Sequence, residues 1–170
     1  HWRFQLPDES FVWRDSIYGD VRFDVASFSD PVVARADGRP LYTLTSVVDD
    51  VDTGTSFIVR GSDHLSNSGA QIALFKSLNA SVPIFAHHAL LTGPKGEPLS
   101  KRLGSLSLRA LHNAGVESKA LLNYLAFIGG GSEIKLFGDV DKILTEFDVV
   151  KLGRTNAVFE EYVLQNLSSQ

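Results

Sequence analysis

Ser56-Phe57-Ile58-Val59-Arg60-Gly61 opens the stretch that decides the fold, and Val82-Pro83-Ile84-Phe85-Ala86 closes it. Each is a short apolar run bounded by turn-forming residues; the second reads as an apolar strand, the first as a buried strand or a helix edge that delivers polar residues at its end. Between them Ala70, Leu74 and Leu78, with Ile72 and Phe75, recur at helical spacing, and Ser66 or Ser68 can cap a helix running to Asn79. Strand, helix, strand predicts an α/β sheet unit. Just upstream, Leu41-Tyr42-Thr43-Leu44-Thr45-Ser46-Val47-Val48 delivers Asp49 and Asp50 at its end, as either a buried strand or one edge of a helix.

The flanks differ in style. Residues 1–41 hold short alternating runs, Trp2 to Leu6, Ser10 to Trp13 and Val21 to Val25, separated by Pro7-Asp8 and Tyr18-Gly19-Asp20 and followed by Asp37-Gly38. That alternation reads as a small antiparallel sheet region, with Asp37-Gly38 a hairpin-type signal. Residues 105–170 read as helical. Ser107 to Ala114 stops at Gly115, Ser118 to Ile128 stops at Gly129-Gly130-Gly131, and shorter helices are expected at Asp139–Glu146 and Asn156–Leu167.

Composition narrows the function classes. The 170 residues contain no cysteine, which excludes disulfides, thiolate metal sites and cysteine nucleophiles. No run of about 18 apolar residues is present, so no membrane-spanning helix is expected. Sixteen Lys and Arg against twenty Asp and Glu leave a net charge of −4, a poor footprint for a dedicated nucleic-acid binder. The chain has no methionine and begins at His1, so a processed terminus and a piece of a longer protein are both open.

Three constellations carry chemistry. Gly93-Pro94-Lys95-Gly96-Glu97-Pro98-Leu99-Ser100-Lys101-Arg102-Leu103-Gly104 is a glycine-rich basic loop, either a phosphate cradle or a solvated turn. It is no P-loop, because no Gly-Lys-Ser/Thr opens a helix at the required spacing. His87 and His88, adjacent in a strand, point to opposite faces, so hydrogen bonding at a sheet end accounts for them better than a metal site shared with Asp63 and His64. Asp50-Val51-Asp52-Thr53 matches the aspartate pair of haloacid-dehalogenase-type magnesium phosphatases, with Asp139 and Asp141 as downstream acids; a turn or helix cap is the plainer account. Triad hydrolases and zincins have no motif here.

Taken in order, Tyr42, Val47-Val48-Asp49-Asp50, Arg60-Gly61-Ser62-Asp63-His64-Leu65-Ser66-Asn67, Gln71, Phe85-Ala86-His87 and Leu99-Ser100-Lys101-Arg102 resemble the bacterial glutamyl-tRNA synthetases. The ordered set is far more specific than any one member. Trp2-Arg3-Phe4, Asp20 to Asp24 and Leu122 to Leu125 extend the likeness over nearly the whole chain.

The resemblance implies an α/β fold, the second half of a class I Rossmann-type catalytic domain. Residues 1–41 would end an acceptor-stem-binding β-rich insertion, 42–104 would be the C-terminal half of the catalytic domain with its signature loop, and 105–170 a helical stem-contact region. It further implies a ligase that converts L-glutamate and ATP, the latter with Mg2+, to glutamyl-adenylate and transfers glutamate to the 3′ end of tRNA-Glu. Such a parent is expected to be cytoplasmic and monomeric, with no protein-bound metal. Tyr42, Thr43, Leu44, Thr45, Ser46 and Arg60 match the amino-acid site. Arg60 would read the side-chain carboxylate, a pairing that suits guanidinium geometry. Asp63, His64, Leu90 and Leu91 fall where the family holds ATP. Pro98-Leu99-Ser100-Lys101-Arg102 matches the KMSKS-type loop, in which Ser100 and Lys101 would act on the pyrophosphate charge.

Three departures accompany the likeness. Pro98 replaces the loop's first lysine, Ser62 stands where the family has Glu, and the upstream His-Ile-Gly-His signature is absent. A central fragment is therefore expected, and one inactive by itself because half of the ATP site is missing. Competing readings are the related glutamyl-queuosine tRNA-Asp synthetase, the phosphatase built on Asp50 and Asp52, and an inert RNA-binding module.

Overall fold

The computed structural model describes residues 1–99, 107–131 and 133–170. They form two compact units, His1–His87 and His88–Gln170.

In the first unit, β1 (Trp2–Arg3) pairs with β4 (Val32–Ala34). β2 (Phe11–Asp15) and β3 (Gly19–Phe23) form an antiparallel hairpin in which Trp13 faces Val21. These strands do not stay apart from the strand–helix–strand segment. β2 also runs parallel to β6 (Ile84–His88), with Asp15 opposite Phe85, so the sheet order is β3-β2-β6-β5, where β5 is Phe57–Gly61. Alternation along β2 puts Trp13 and Asp15 on the buried face and leaves Val12 and Arg14 outside. The Asp37-Gly38 turn is present: Gly38 has φ +85°, and Arg35 N–H donates to Arg39 O at 2.8 Å.

Two helices cover the buried face of this sheet. The run beginning at Leu41 resolves as a helix, α1 (Tyr42–Thr53), ended by Gly54 at φ +66°. α2 (Leu65–Ser77) matches the expected helix, but neither Ser66 nor Ser68 caps it. Ser68 lies inside the first turns, and its hydroxyl donates back to His64 O at 3.0 Å. Every residue from Ser68 to Phe75 is buried, which explains why α2 lacks a polar face. Trp13, Val47, Ile72, Leu74, Phe75 and Phe85 make the main core, with Leu6, Phe23, Ala70 and Ala73 beside it.

The described residues of the second unit build a short parallel pair, β7 (Leu91–Thr92) with β8 (Ala157–Val158), and the helices α3 (Leu108–Asn113), α4 (Ser118–Phe127), α5 (Val140–Glu146) and α6 (Glu161–Ser168). Ser107 caps α3 by accepting from Ala110 N–H at 3.1 Å, and Asp139 caps α5 from Lys142 N–H at 2.8 Å. The last helix starts five residues later than the apolar spacing predicts, because Ala157–Val158 is drawn out as β8 and Phe159 N–H donates to Thr92 O at 2.8 Å. Leu111, Val116, Ala120, Tyr124, Phe159, Leu164 and Leu167 form its core. Among the described residues no helix is long and apolar enough to cross a membrane.

Candidate active site

Arg60 is the hub of the first unit's polar interior. It leaves β5 toward the helices, and its guanidinium lies over the Phe85 ring, 5.1 Å from the centroid. Its Nε–H donates to His87 Nε2 at 3.3 Å, and an Nη–H donates to Ser68 Oγ. Burial lowers the guanidinium's pKa, and Tyr42, Asp50 and Asp63 oppose that by favouring the cation. A cation held this way keeps part of its fork for an anion.

Behind Arg60 stands a fully buried chain of groups. His87 Nδ1 lies 2.7 Å from Asp15 Oδ2, and His87 Nε2 lies 2.7 Å from Ser68 Oγ. Asp15 Oδ1 also accepts the Ile17 and Tyr18 amides, each at 2.8 Å, and Oδ2 accepts the His87 amide at 3.1 Å. Burial alone pushes the Asp15 carboxyl up, but the His87 ring and these amides together hold it below its ordinary value. Burial pushes His87 down, and Asp15 only partly restores it against Arg60 and His64. The distances are those of a Ser-His-Asp triad. Ser68 is nevertheless no nucleophile: it is 0% exposed, accepts from Arg60 and bonds His64 O.

Helical periodicity sorts the matched Tyr42–Ser46 segment. Tyr42 and Ser46 share a face of α1, and Ser46 Oγ donates to Tyr42 O at 2.8 Å. Gln71, 3% exposed on α2, donates from Nε2 to Ser46 Oγ at 2.5 Å. Leu44 turns into the core, and Thr45 Oγ1 donates to Tyr42 O at 3.4 Å. Thr43 is half-buried; Tyr42 is the member of this segment that acts on Arg60, and Ser46 joins it through the Tyr42 carbonyl and Gln71. Tyr42 is exposed and meets the His64 ring edge-on at 5.9 Å between centroids. Asp63 and His64 fall in the 3₁₀ turn that joins β5 to α2; Asp63 Oδ2 lies 3.9 Å from His64 Nε2, and His64 Nδ1 lies 3.1 Å from Asn67 Nδ2.

The remaining expected residues belong to the second unit. Leu90 N–H donates to Asn156 Oδ1 at 3.1 Å, its carbonyl accepts from Ala157 N–H at 3.1 Å, and Leu91 lies in β7. The glycine-rich stretch closes on itself as a tight turn: Gly93 N–H donates to Glu97 O at 2.7 Å, and Lys95 N–H to Glu97 Oε2 at 2.9 Å. The Lys95 amide is thus taken by the turn's own carboxylate. Pro98 bridges to Thr92, and Leu99 packs against the second core. Ser100, Lys101 and Arg102 lie outside the described residues.

The phosphatase pair does not form. Asp50 and Asp52 sit two positions apart on α1 and so point to different faces, while Asp139 is the cap of α5. No group of three or more His, Asp or Glu that could hold a metal ion occurs among the described residues. Four buried residues were absent from the site expected from sequence: Asp15, Ser68, Gln71 and His87. Two carry a signal. His87 and Gln71 were polar positions in otherwise apolar stretches, whereas Asp15 becomes legible only when β2 is paired with β6.

Residues 1–166 match the family model described as tRNA synthetases class I (E and Q), catalytic domain. Glutamate–tRNA ligase 2 of Jannaschia sp. is 50% identical over 159 residues, covering 94% of this chain and 35% of the relative. Glutamate–tRNA ligase 1 of Ruegeria pomeroyi is 48% identical over 159 residues, covering 94% and 36%. A crystal structure of an Elizabethkingia meningosepticum glutamate tRNA ligase in complex with its amino acid superposes with a TM-score of 0.85 at 24% identity, over 97% of this chain and 37% of that one. That likeness speaks for the fold. The chain thus spans little more than a third of the length of these relatives, and with its match running from His1 through Asn166 it belongs to the class I (E and Q) tRNA synthetase catalytic-domain family.

Proposed function

We propose that this chain supplies part of the catalytic domain of a glutamate–tRNA ligase, which joins L-glutamate to ATP as glutamyl-adenylate and transfers it to the 3′ end of tRNA-Glu. The observation that carries this reading is Arg60: a half-buried guanidinium, fixed from behind by His87 and Ser68, with Tyr42 and Ser46 on the neighbouring helix face. Pre-set donors of this kind suit a carboxylate better than a neutral side chain does. The names of the relatives favour glutamate–tRNA ligase over the queuosine-modifying variant.

In this reading Arg60 pairs with the side-chain carboxylate of glutamate, and Tyr42 to Ser46 line that site through Tyr42 and Ser46. Asp63, His64 and the backbone at Leu90 and Leu91 hold ATP, which enters with Mg2+ as part of the substrate. Lys101, with Ser100 beside it in the Pro98–Arg102 loop, stabilises charge moving onto the departing pyrophosphate, an effect strongest in the transition state. Residues 1–41, 42–104 and 105–170 serve as the end of an acceptor-stem insertion, the catalytic half-domain and a stem-contact region. A cytoplasmic, monomeric parent goes with this assignment.

The test uses a full-length ligase. This chain replaces the matching 159 residues of the Jannaschia enzyme, and glutamate-dependent ATP–pyrophosphate exchange is followed. Arg60→Ala should weaken glutamate by about 2–5 kcal/mol, the cost of removing one partner of a buried charge pair, while the KM for ATP stays nearly constant. Equal losses for both substrates would reduce Arg60 to a structural role.

A further inference from the structure

We propose that Asp15 is a positioning residue for substrate reading: through His87 it fixes the ring tautomer that gives Arg60 an acceptor and so aims the guanidinium. The proposal rests on Arg60 being the reader of the glutamate carboxylate.

The hydrogen bonds to Asp15 and Arg60 together select one neutral tautomer of the His87 ring. An ionised carboxylate can only accept, so the 2.7 Å contact between Asp15 Oδ2 and His87 Nδ1 requires the hydrogen on Nδ1. In the neutral ring Nε2 is then a bare acceptor. Arg60 has five N–H donors and no acceptor, and its Nε–H points at that Nε2 from 3.3 Å. The opposite tautomer would set N–H against N–H. Ser68 fits the same scheme, because its Oγ takes the second Arg60 donor while its own proton goes to His64 O at 3.0 Å or to His87 Nε2 at 2.7 Å.

Asp15 is itself held in place. Its Oδ1 is pinned by the Ile17 and Tyr18 amides at the β2–β3 turn, and its Oδ2 by the His87 amide at 3.1 Å. The carboxylate therefore cannot swing away from the ring. The charged and titratable groups acting on His87 are Asp15, Arg60 and His64. Asp15 does not touch Arg60. Its influence passes through the imidazole, while Asp50 and Asp63 are the carboxylates that act on the guanidinium by charge. A carboxylate in direct contact with Arg60 would compete with substrate for the fork, whereas a neutral ring orients it and leaves its charge available.

Two measurements test this. The first is the imidazole nitrogen spectrum of the 170-residue chain, which should show His87 as the neutral Nδ1–H form near neutral pH. In Asp15→Asn the side-chain N–H₂ can replace Oδ2, donate to Nδ1 and drive the hydrogen to Nε2, the tautomer error known from Asp→Asn in serine-protease triads. The second measurement places D15N in the Jannaschia graft. The KM for glutamate should rise about tenfold or more, with the KM for ATP changed by less than about twofold. An Nε2–H wild-type ring overturns the proposal, and does so even where D15N is too unstable to assay. A flipped tautomer with unchanged glutamate KM overturns it too, as do equal rises in both KM values. Arg60→Ala separates the layers. If Arg60→Ala impairs glutamate and D15N does not, only the positioning role fails; if Arg60→Ala spares glutamate, the reading beneath it fails and takes the proposal with it.

Discussion

Gly69 packs its backbone directly onto the ring of Phe23: a Cβ built on this glycine would lie 2.0 Å from Phe23 Cδ2 and 2.5 Å from Cγ. The ring cannot retreat. Phe23 is 3% exposed and is stacked on Phe28 with centroids 4.7 Å apart. This contact seats α2 on β3, and through α2 it sets the positions of Ser68 and Gln71 on that helix.

Gly69→Ala should therefore destabilise the chain. Alanine in a helix interior gains about 1 kcal/mol over glycine, but forcing a methyl into a packed core costs about 1–3 kcal/mol or more. A lower urea midpoint with unchanged slope is the expected result. Gly138→Ala is the matched control, since a Cβ there meets nothing within 4 Å.

The buried acid–imidazole pair makes stability fall with acid. His87 has its folded pKa below its ordinary value of about 6.5, so the unfolded chain takes up this proton first and stability drops as pH falls below that value. Asp15 also lies below its ordinary value of about 3.9; its contribution is complete above that pH and is lost as pH falls through the lowered folded value. Both effects have one sign. Urea midpoints taken downward from neutral pH should fall in two stages, and Asp15→Asn should remove the lower one.

Much of this was legible in the sequence, for local reasons. α2 and β6 follow from apolar patterning, β5 is one of the two readings its apolar run allows, and α3 and α4 follow from Gly115 and Gly129 as stop signals. Arg60 enters as a candidate only through the ordered family likeness, and its role stays a proposal. Its supports were not legible, because Asp15 and His87 are 72 residues apart and meet only through the parallel pairing of β2 with β6. The Tyr42 run was ambiguous between strand and helix because Thr43, Thr45, Val47 and Val48 favour strands, and tertiary packing of Leu44 and Val47 overrides that preference. Asn156–Leu167 was misread at its start because a two-residue strand has no period to detect.

In the second unit, Asn123 should matter more than its neighbour's hydroxyl. Asn123 is 0% exposed and clamps the backbone of Phe137 on both sides, accepting Phe137 N–H at 2.8 Å and donating to Phe137 O at 3.3 Å and Lys119 O at 2.9 Å. Asn123→Ala strands several buried groups, at about 1–3 kcal/mol each. Tyr124→Phe strands chiefly the Glu160 amide, which now donates to the phenol oxygen at 2.8 Å, and should cost about 1 kcal/mol. Chemical denaturation of the two variants should rank them in that order.

The last expectation concerns Lys101 and the lysine absent at Pro98. An ammonium that meets the pyrophosphate mainly in the transition state lowers the barrier without tightening ground-state ATP. In the grafted ligase Lys101→Ala should thus slow adenylation by about two to three orders of magnitude, the scale of one lost electrostatic donor. Affinity for ATP should move far less. Lys95 is the nearest cation preceding Pro98, and its turn is closed by the Gly93–Glu97 bond at 2.7 Å, with its own amide tied to Glu97 Oε2 at 2.9 Å. Only its side chain is free to follow the nucleotide, so Lys95→Ala should have the smaller effect, and the double variant should equal the sum if the two act independently. Stopped-flow adenylation on the two single variants and the double one decides this. Should Lys101→Ala leave the rate intact while raising the ATP dissociation constant about tenfold, the loop binds nucleotide without catalysing, and the role proposed for Lys101 is wrong.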